Sequence, residues 1–462
     1  MKKLLITFFL LIGTINLHAQ INDTLTFDTF LVWVKSYHPL SAQAEIMLTM
    51  GDMEVRTARG EFDPLLYGNL DKKSYDEYTY YDKREAGISI PTWAGVELNG
   101  VFEQNTGQYL NPENSVPSGG LFSAGASVNL GQGLILDDRR AGLRKAQIYQ
   151  QSTESERKSL LNELYLQASD AYWNWSLAYA NKALQEEGVE LAETRFQAVK
   201  ISYEQGDFPA IDTVEAATQL LSRVYNLQKA ENELFTRTQE LNNFLWDESG
   251  NPIALDLQTI PERLYSDEPL FINQEELRVL VANHPQLMLA DYEIASLDVD
   301  RRLKAQSIIP VVKLKYNFLS EEFNQLDQAG FFENNYKWGL SIYTPLMWRK
   351  ARGGMRLAEA KIDLKENSRN LKELQLRTKL ENEINSWIAV NSQINTYSAN
   401  VAALEMLLQG EVRRFEIGES SLFLVNTREV SVFNSKVTLN ELLSKRKISY
   451  AKTRFAAGVG FE

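Results

Sequence analysis

The sequence predicts a mainly α-helical fold with a membrane β-barrel part, built as two internal repeats of long helical hairpins plus β-strands. Three observations predict it. Separate motifs recur at one constant offset, two long proline-free stretches carry helical periodicity, and shorter stretches ahead of them alternate with period two.

The repeat comes first, because a missed repeat misassigns a fold. Arg140-Ala141-Gly142-Leu143-Arg144-Lys145-Ala146-Gln147 aligns with Arg352-Gly353-Gly354-Met355-Arg356-Leu357-Ala358-Glu359. Trp175 aligns with Trp387, and Tyr203-Glu204-Gln205-Gly206-Asp207 aligns with Phe415-Glu416-Ile417-Gly418-Glu419. Positions 140 and 352, 175 and 387, and 203 and 415 all differ by 212, so the segments between them are equal in length. A fourth match sets Tyr37-His38-Pro39-Leu40 against Asn283-His284-Pro285-Gln286-Leu287 with an offset of 246, so the first half holds 34 extra residues ahead of its Arg-Ala-Gly.

Residues 140 to 205 and 352 to 417 contain no proline. Their apolar positions advance by threes and fours: Leu161, Leu164, Ala168, Ala171, Trp175 and Ala178 in one, and Leu376, Leu380, Trp387, Val390, Ile394, Tyr397 and Val401 in the other, with Glu383 interrupting. This is the seam of a long helix packed in coiled-coil fashion. About 66 residues at 1.5 Å each make a rod of roughly 100 Å. Each rod stops at a glycine motif, Gly206-Asp207-Phe208-Pro209 or Gly418-Glu419-Ser420-Ser421, after which helical patterning resumes. Glycine past a helix end, then proline or serine where a new helix starts, predicts a turn, so each half is a hairpin of two helices.

Ahead of the rods the period falls to two. Val312, Leu314, Tyr316 and Phe318 alternate with Lys313, Lys315 and Asn317; Phe122, Ala124, Ala126, Val128 and Leu130 alternate with Ser123, Gly125, Ser127 and Asn129; Gly339 to Thr344 is the partner strand of the second half. One apolar and one polar face suits a barrel strand with lipid on one side and water on the other, and a half-buried soluble sheet has the same alternation. Tyr75, Tyr78, Tyr80 and Tyr81, with Phe331, Phe332, Tyr336 and Trp338, crowd the stretches between strands among charged residues such as Asp71, Lys72 and Lys73, as aromatic girdles and outer loops do. The extra residues of the first half include Val96, Leu98 and Phe102 in alternation after a turn at Pro91 to Gly95. With this hairpin the chain has six strands, and without it four.

Lys2 and Lys3, an apolar run from Leu4 to Leu17, and Leu17-His18-Ala19 read as a secretory signal with its cleavage site. No later stretch reaches the roughly 18 consecutive apolar residues of a spanning helix, so a membrane part must be made of strands. With no cysteine, the exported chain is held by packing alone and carries no acylation site.

Composition excludes several functions. The net charge is −13, and 48 basic residues are interspersed with 61 acidic ones without a basic stripe, so nucleic acid is not an expected partner. The three histidines are His18 in the signal and the duplicated His38 and His284, each before proline, which reads as a helix start rather than a metal ligand or base. There is no Gly-x-Ser-x-Gly and no phosphate loop. No enzyme chemistry, cofactor or metal is expected.

The duplicated Arg-x-Gly-x-Arg-x-Ala lead-in to a long helix and the duplicated aromatic-Glu-x-Gly-acidic turn resemble the outer-membrane factor family typified by TolC, across essentially the whole mature chain. The resemblance implies an exit duct of a tripartite efflux or type I secretion system in the cell outer membrane. It implies a homotrimer in which each chain gives two pairs of strands to one barrel in outer-membrane lipid, and two helical hairpins to one periplasmic tunnel. The implied partners are a periplasmic adaptor (a membrane fusion protein) and an inner-membrane pump. The family's helix turns meet the adaptor, a role that maps onto Tyr203, Gly206, Asp207 and Pro209 and onto Phe415, Gly418, Glu419 and Ser420. The alternative is that the glycines only close the hairpins. The family's best-studied member narrows its periplasmic mouth with aspartates six and nine residues after the second-half glycine. Here those positions are Leu424 and Thr427, while the first half has Asp212 and Glu215 at the same offsets, either a displaced acidic ring or a solvated helix start.

The expected organisation is a signal peptide over 1–19, an N-terminal helical segment over 20–60, barrel strands over 61–132, a long hairpin over 133–250, a linker with helices over 251–307, barrel strands over 308–348 and a second long hairpin over 349–462. Two competing readings remain. A non-transporting periplasmic scaffold or adaptor would have long hairpins without the duct, and a passive porin would have no use for 100 Å rods.

Overall fold

A computed structural model describes residues 24–256, 258–265, 270–323 and 335–461. The signal-peptide segment and the aromatic pair Phe331 and Phe332 lie outside these residues.

The chain opens with β1 (Thr24–Leu25), α1 (Phe27–Tyr37) and α2 (Pro39–Gly60). His38 ends α1 and caps α2: its Nδ1 accepts from the Leu40 amide at 3.2 Å, and Pro39 occupies the first helical position, where its missing N–H costs nothing. Four strands follow, β2 (Leu65–Tyr75), β3 (Tyr78–Pro91), β4 (Val96–Thr106) and β5 (Leu121–Asn129). Then come α3 (Asp138–Gln205) and α4 (Ala210–Asn242). The second half repeats the plan with β6 (Ile260–Pro261), α5 (Gln274–Leu280), α6 (Pro285–Gln306), β7 (Val311–Ser320), β8 (Tyr336–Tyr343), α7 (Arg349–Glu416) and α8 (Leu422–Ala456). His284 caps α6 as His38 caps α2, its Nδ1 accepting from the Gln286 amide at 3.1 Å.

The rods α3 and α7 are each 68 residues long, roughly 100 Å. They pack against α4 and α8 respectively, and α6 lies against both rods. The largest buried cluster sits along α3, where Tyr172, Trp173 and Trp175 meet Phe30 and Val34 of α1, Leu241 of α4, Val390 of α7 and Leu443 of α8. Tyr172 also joins the chain's beginning to the segment between the halves. Its hydroxyl donates to the Leu25 carbonyl at 2.6 Å and accepts from the Glu262 amide at 3.1 Å, beside the parallel pairing of β1 with β6. The seam positions of both rods are buried at Leu161, Leu164, Ala168, Leu376, Leu380 and Val390. Trp175 is buried, but its repeat partner Trp387 is only half-buried, so equivalent positions do not have equivalent surroundings.

The longer strands form one antiparallel sheet in the order β2-β3-β4-β5-β7-β8. It has six strands, not the two pairs that the resemblance implied, because the extra residues of the first half form a hairpin that pairs within the sheet. β8 begins three residues earlier than the expected Gly339. Directly opposed residues share a face, and over the helix-side part of the sheet the register gathers the apolar side chains on one face, while toward the far ends of β2, β3 and β4 that face also carries Lys72, Asp82, Arg84 and Gln104. On one face Ile88, Leu98, Phe102, Phe122, Val128, Leu314, Tyr316, Phe318, Trp338, Leu340 and Ile342 line up. Phe102 meets Phe122 there with ring centroids 4.6 Å apart, and Tyr316 meets Phe318 at 5.1 Å. The opposite face carries Glu97, Asn99, Ser123, Ser127, Lys313, Lys315 and Asn317. Asn99 donates to Asn317 across β5 at 3.2 Å, over Gly125, whose added Cβ would come within 2.0 Å of the Tyr316 carbonyl oxygen. Among the described residues no helix is long and apolar enough to cross a membrane.

Candidate functional site: the paired hairpin tips

Both hairpins turn by the same mechanism. α3 ends at Gly206 in the left-handed conformation, φ 86°; the Asp207 amide donates to the Ser202 carbonyl at 2.9 Å, and that of Gly206 to the Tyr203 carbonyl at 3.0 Å. α7 ends at Glu416, and Gly418 just beyond it takes the left-handed conformation, φ 79°, with the Glu419 amide donating to the Arg414 carbonyl at 2.8 Å and that of Gly418 to the Phe415 carbonyl at 3.0 Å. This double bond pattern, from the two residues past the helix back onto its last turn, satisfies carbonyls that the helix leaves open, and the left-handed residue in it is glycine because a Cβ is strained there. α4 then starts after Pro209, and α8 after Ser421, whose Oγ accepts from the Leu424 amide at 3.4 Å.

The two tips lie side by side. Val199, Ala216 and Leu422 are buried together, with Phe196, Phe208 and Phe415 packed on them, and the Phe208 and Phe415 rings are 5.8 Å apart. Beyond this small core the tips are open. Tyr203, Ile211, Val214, Ile417 and Phe423 are exposed apolar groups, and no atom lies within 4 Å of a Cβ added at Gly206 or Gly418. Asp207, Pro209 and Glu419 are exposed as well. Ser420 is half-buried and donates to Glu411 at 2.5 Å; Glu411 is itself buried, with Arg414 3.7 Å away.

The four aperture candidates differ in their surroundings. Asp212 stands in the first turn of α4, half-buried, and its amide donates to the Pro209 carbonyl at 3.1 Å. Glu215 accepts from the Asn426 side chain at 3.0 Å, which ties α4 to α8. Leu424 and Thr427 are exposed, and the Thr427 hydroxyl donates to the Phe423 carbonyl at 2.8 Å.

Sequence reasoning missed the charged network behind the tips. Glu429 of α8 is 0% exposed and forms ion pairs with Arg195 of α3 and with Arg223 of α4, the latter at 3.4 Å. Arg195 also donates to Asn426 at 3.2 Å, and the Arg223 guanidinium lies 4.1 Å from the Phe433 ring centroid. Burial pushes Arg223 below its usual pKa, and Glu429 pulls it back. The network crosses from one hairpin to the other. The residues that face Arg195, Glu429 and Arg223 in sequence register are not charged partners in the other repeat, so the duplication held no signal for it.

Residues 104–245 match the family model described as outer membrane efflux protein. Solved structures extend the likeness across the fold. The outer membrane protein VceC from Vibrio cholerae is 15% identical with a TM-score of 0.67, covering 94% of this chain and 96% of that one. The open state of the MtrE outer membrane channel of Neisseria gonorrhoeae is 14% identical at 0.68, covering 94% and 89%. The CmeC outer membrane channel of Campylobacter jejuni is 14% identical at 0.65, covering 94% and 86%. No curated protein matches the chain. The fold is shared with these outer membrane channels and is TolC-like, as the resemblance in the sequence implied.

Proposed function

We propose that this chain is an outer-membrane factor, one protomer of a trimeric exit duct that passes solutes through the outer membrane without altering them, a reading supported by the family model over residues 104–245 and by the shared fold. The observation that carries this reading is the union of two parts. A sheet with one apolar and one polar face is joined, through β5 and β8, to two rods of 68 residues whose far ends turn together. The apolar face suits lipid and the polar face a water-filled lumen, and the rods suit a passage across the periplasm. A single open sheet cannot rest in hydrocarbon, because its edges carry unpaired backbone groups, so closure has to come from further copies.

The tips, far from the sheet, are the surface offered to a periplasmic adaptor, with Tyr203, Gly206, Asp207, Pro209, Phe415, Gly418, Glu419 and Ser420 at or beside the contact. An inner-membrane pump would then complete the pathway and select the cargo. Asp212 with Glu215 forms the acidic side of the aperture, and Leu424 with Thr427 its uncharged side. Electron microscopy of the mature protein purified from outer membranes in detergent tests the reading. A threefold particle with a long helical cylinder beneath a barrel is expected. A soluble monomer would sink it and return the chain to the scaffold class.

A further inference from the structure

We infer that β8 of each protomer pairs with β2 of the next in a defined register, Asp71 opposite Lys337, closing an 18-stranded barrel. The inference rests on the threefold duct proposed above and specifies its joint, which neither the family match nor the fold likeness assigns.

β2 and β8 are the two ends of the sheet, and each pairs on one side only. Their apolar side chains are among the most exposed in the chain, Leu66 at 80%, Leu70 at 83% and Ile342 at 64%. The occupant of these edges is a second copy of the chain because of strand direction. All neighbours in the sheet are antiparallel and the strand number is even, so β2 leads away from the helices and β8 returns toward them. Set side by side, β8 and the next chain's β2 are antiparallel and continue the ladder without a break.

The register follows from faces and charge. β2 carries Leu66, Gly68 and Leu70 on the apolar face, and β8 carries Tyr336, Trp338, Leu340 and Ile342 there. Only even shifts keep both sets on one face. Aligning the helix-side ends of the strands sets Leu66 opposite Ile342. Gly68 then faces Leu340, Leu70 faces Trp338, and on the polar face Asp71 faces Lys337. Sliding by two residues places Asp71 opposite Asn335 or Gly339 instead and loses the charge pair.

The same register meets an independent geometric condition. Within one sheet the hydrogen-bonded row runs Leu66, Ile88, Gly100, Ala124, Phe318, Tyr336. It therefore reaches β8 six residues away from Ile342, the residue that would meet the next Leu66. Three protomers give a total stagger of 3 × 6 = 18 residues over 3 × 6 = 18 strands. With ~3.3 Å of rise per residue and ~4.8 Å between strands, equal stagger and strand number mean a tilt of about 35°, within the range of membrane barrels. The circumference gives a diameter of about 34 Å, against about 22 Å for 12 strands, and places the barrel among those with an aqueous channel. The extra hairpin thus widens the exit by about half.

The chain has no cysteine, so introduced pairs report without background. Asp71→Cys with Lys337→Cys, and Leu70→Cys with Trp338→Cys, are oxidised in outer membranes and resolved without reductant; successive opposed pairs alternate in spacing, so one of the two suits a disulfide. The expected result is a covalent trimer for at least one pair and for neither single variant. The shifted pairs, Asp71→Cys with Gly339→Cys or Asn335→Cys, are expected to give on the order of tenfold less, since diagonal neighbours lie beyond disulfide reach. Electron microscopy of the unmodified protein counts the strands independently of any variant. A threefold duct with 12 strands, or one that crosslinks best in a shifted pair, overturns this inference and leaves the duct standing. A particle without threefold symmetry overturns both.

Discussion

The Phe208 and Phe415 rings meet 5.8 Å apart, and through them the ends of two hairpins separated by about half the chain become one surface. Each ring is half-buried, so the contact is partly shared with solvent. Aromatic pairs of this kind contribute about 0.5–1.5 kcal/mol beyond the area they bury. A double-mutant cycle with Phe208→Ala and Phe415→Ala is expected to show coupling of that size in thermal unfolding of the detergent-solubilised protein. Additive effects would mean that the tips stand independently.

Gly206 and Gly418 hold positive φ values with open space around them. A side chain there meets backbone strain of about 1 kcal/mol, small against the whole helix pair, and projects into the proposed adaptor surface. Gly206→Trp with Gly418→Trp is expected to abolish efflux while export and trimer formation persist. Unchanged drug sensitivity in cells carrying the double variant would discard the tips as the docking surface.

Glu429 is the buried partner of two arginines from the other hairpin. Removing one partner of a buried ion pair leaves uncompensated charge and costs about 3–5 kcal/mol. Glu429→Ala is therefore expected to lower the denaturation midpoint markedly, and Glu429→Gln less, since it keeps an acceptor. Hydrogen exchange along 195–223 should rise in the Ala variant, and an exchange pattern like the parent's would show that the network is dispensable.

His284 gives the stability a pH dependence. Burial, with Lys372 and Lys379 adding to it, pushes its pKa down to about 4, and its Nδ1 is the acceptor that caps α6. Between the ordinary value near 6.5 and the folded value, the unfolded chain binds the extra proton, so stability rises with pH across that window. As pH falls from about 6.5 to 4 the protein should lose up to roughly 3 kcal/mol from this group. His284→Asn keeps a capping acceptor and should flatten that part of the profile; an unchanged slope in a pH series of unfolding midpoints would assign it elsewhere.

Asp212 and Glu215 lie six and nine residues past Gly206, yet Glu215 is bound to Asn426 and Asp212 stands in the first turn of α4. If Asp212 narrows the aperture, Asp212→Ala raises single-channel conductance in planar bilayers or changes its response to cations. Conductance equal to the parent's removes Asp212 from the aperture.

Local chemistry made much of this molecule legible in its sequence. The rods follow from proline-free heptad-like spacing, the turns from glycines that alone tolerate positive φ, and the starts of α2 and α6 from a His-Pro pair that both caps and initiates. The two faces of the sheet follow from a period of two. Each of these signals lies within a few residues of its effect, and duplication at a single offset made them stand out.

Tertiary structure alone decided the rest, because it depends on contacts between residues far apart in the chain. The alternation around Val96 to Phe102 admitted four strands or six, and only the pairing of β4 with β3 on one side and β5 on the other settled six. Trp175 and Trp387 occupy one register position, but only the first meets the helices of the chain's beginning and is buried. The Arg195, Glu429 and Arg223 network joins three helices, and charged residues on long helices look alike in sequence until packing removes water from one of them. Side-chain periodicity is set by the backbone, whereas burial is set by whatever arrives from elsewhere.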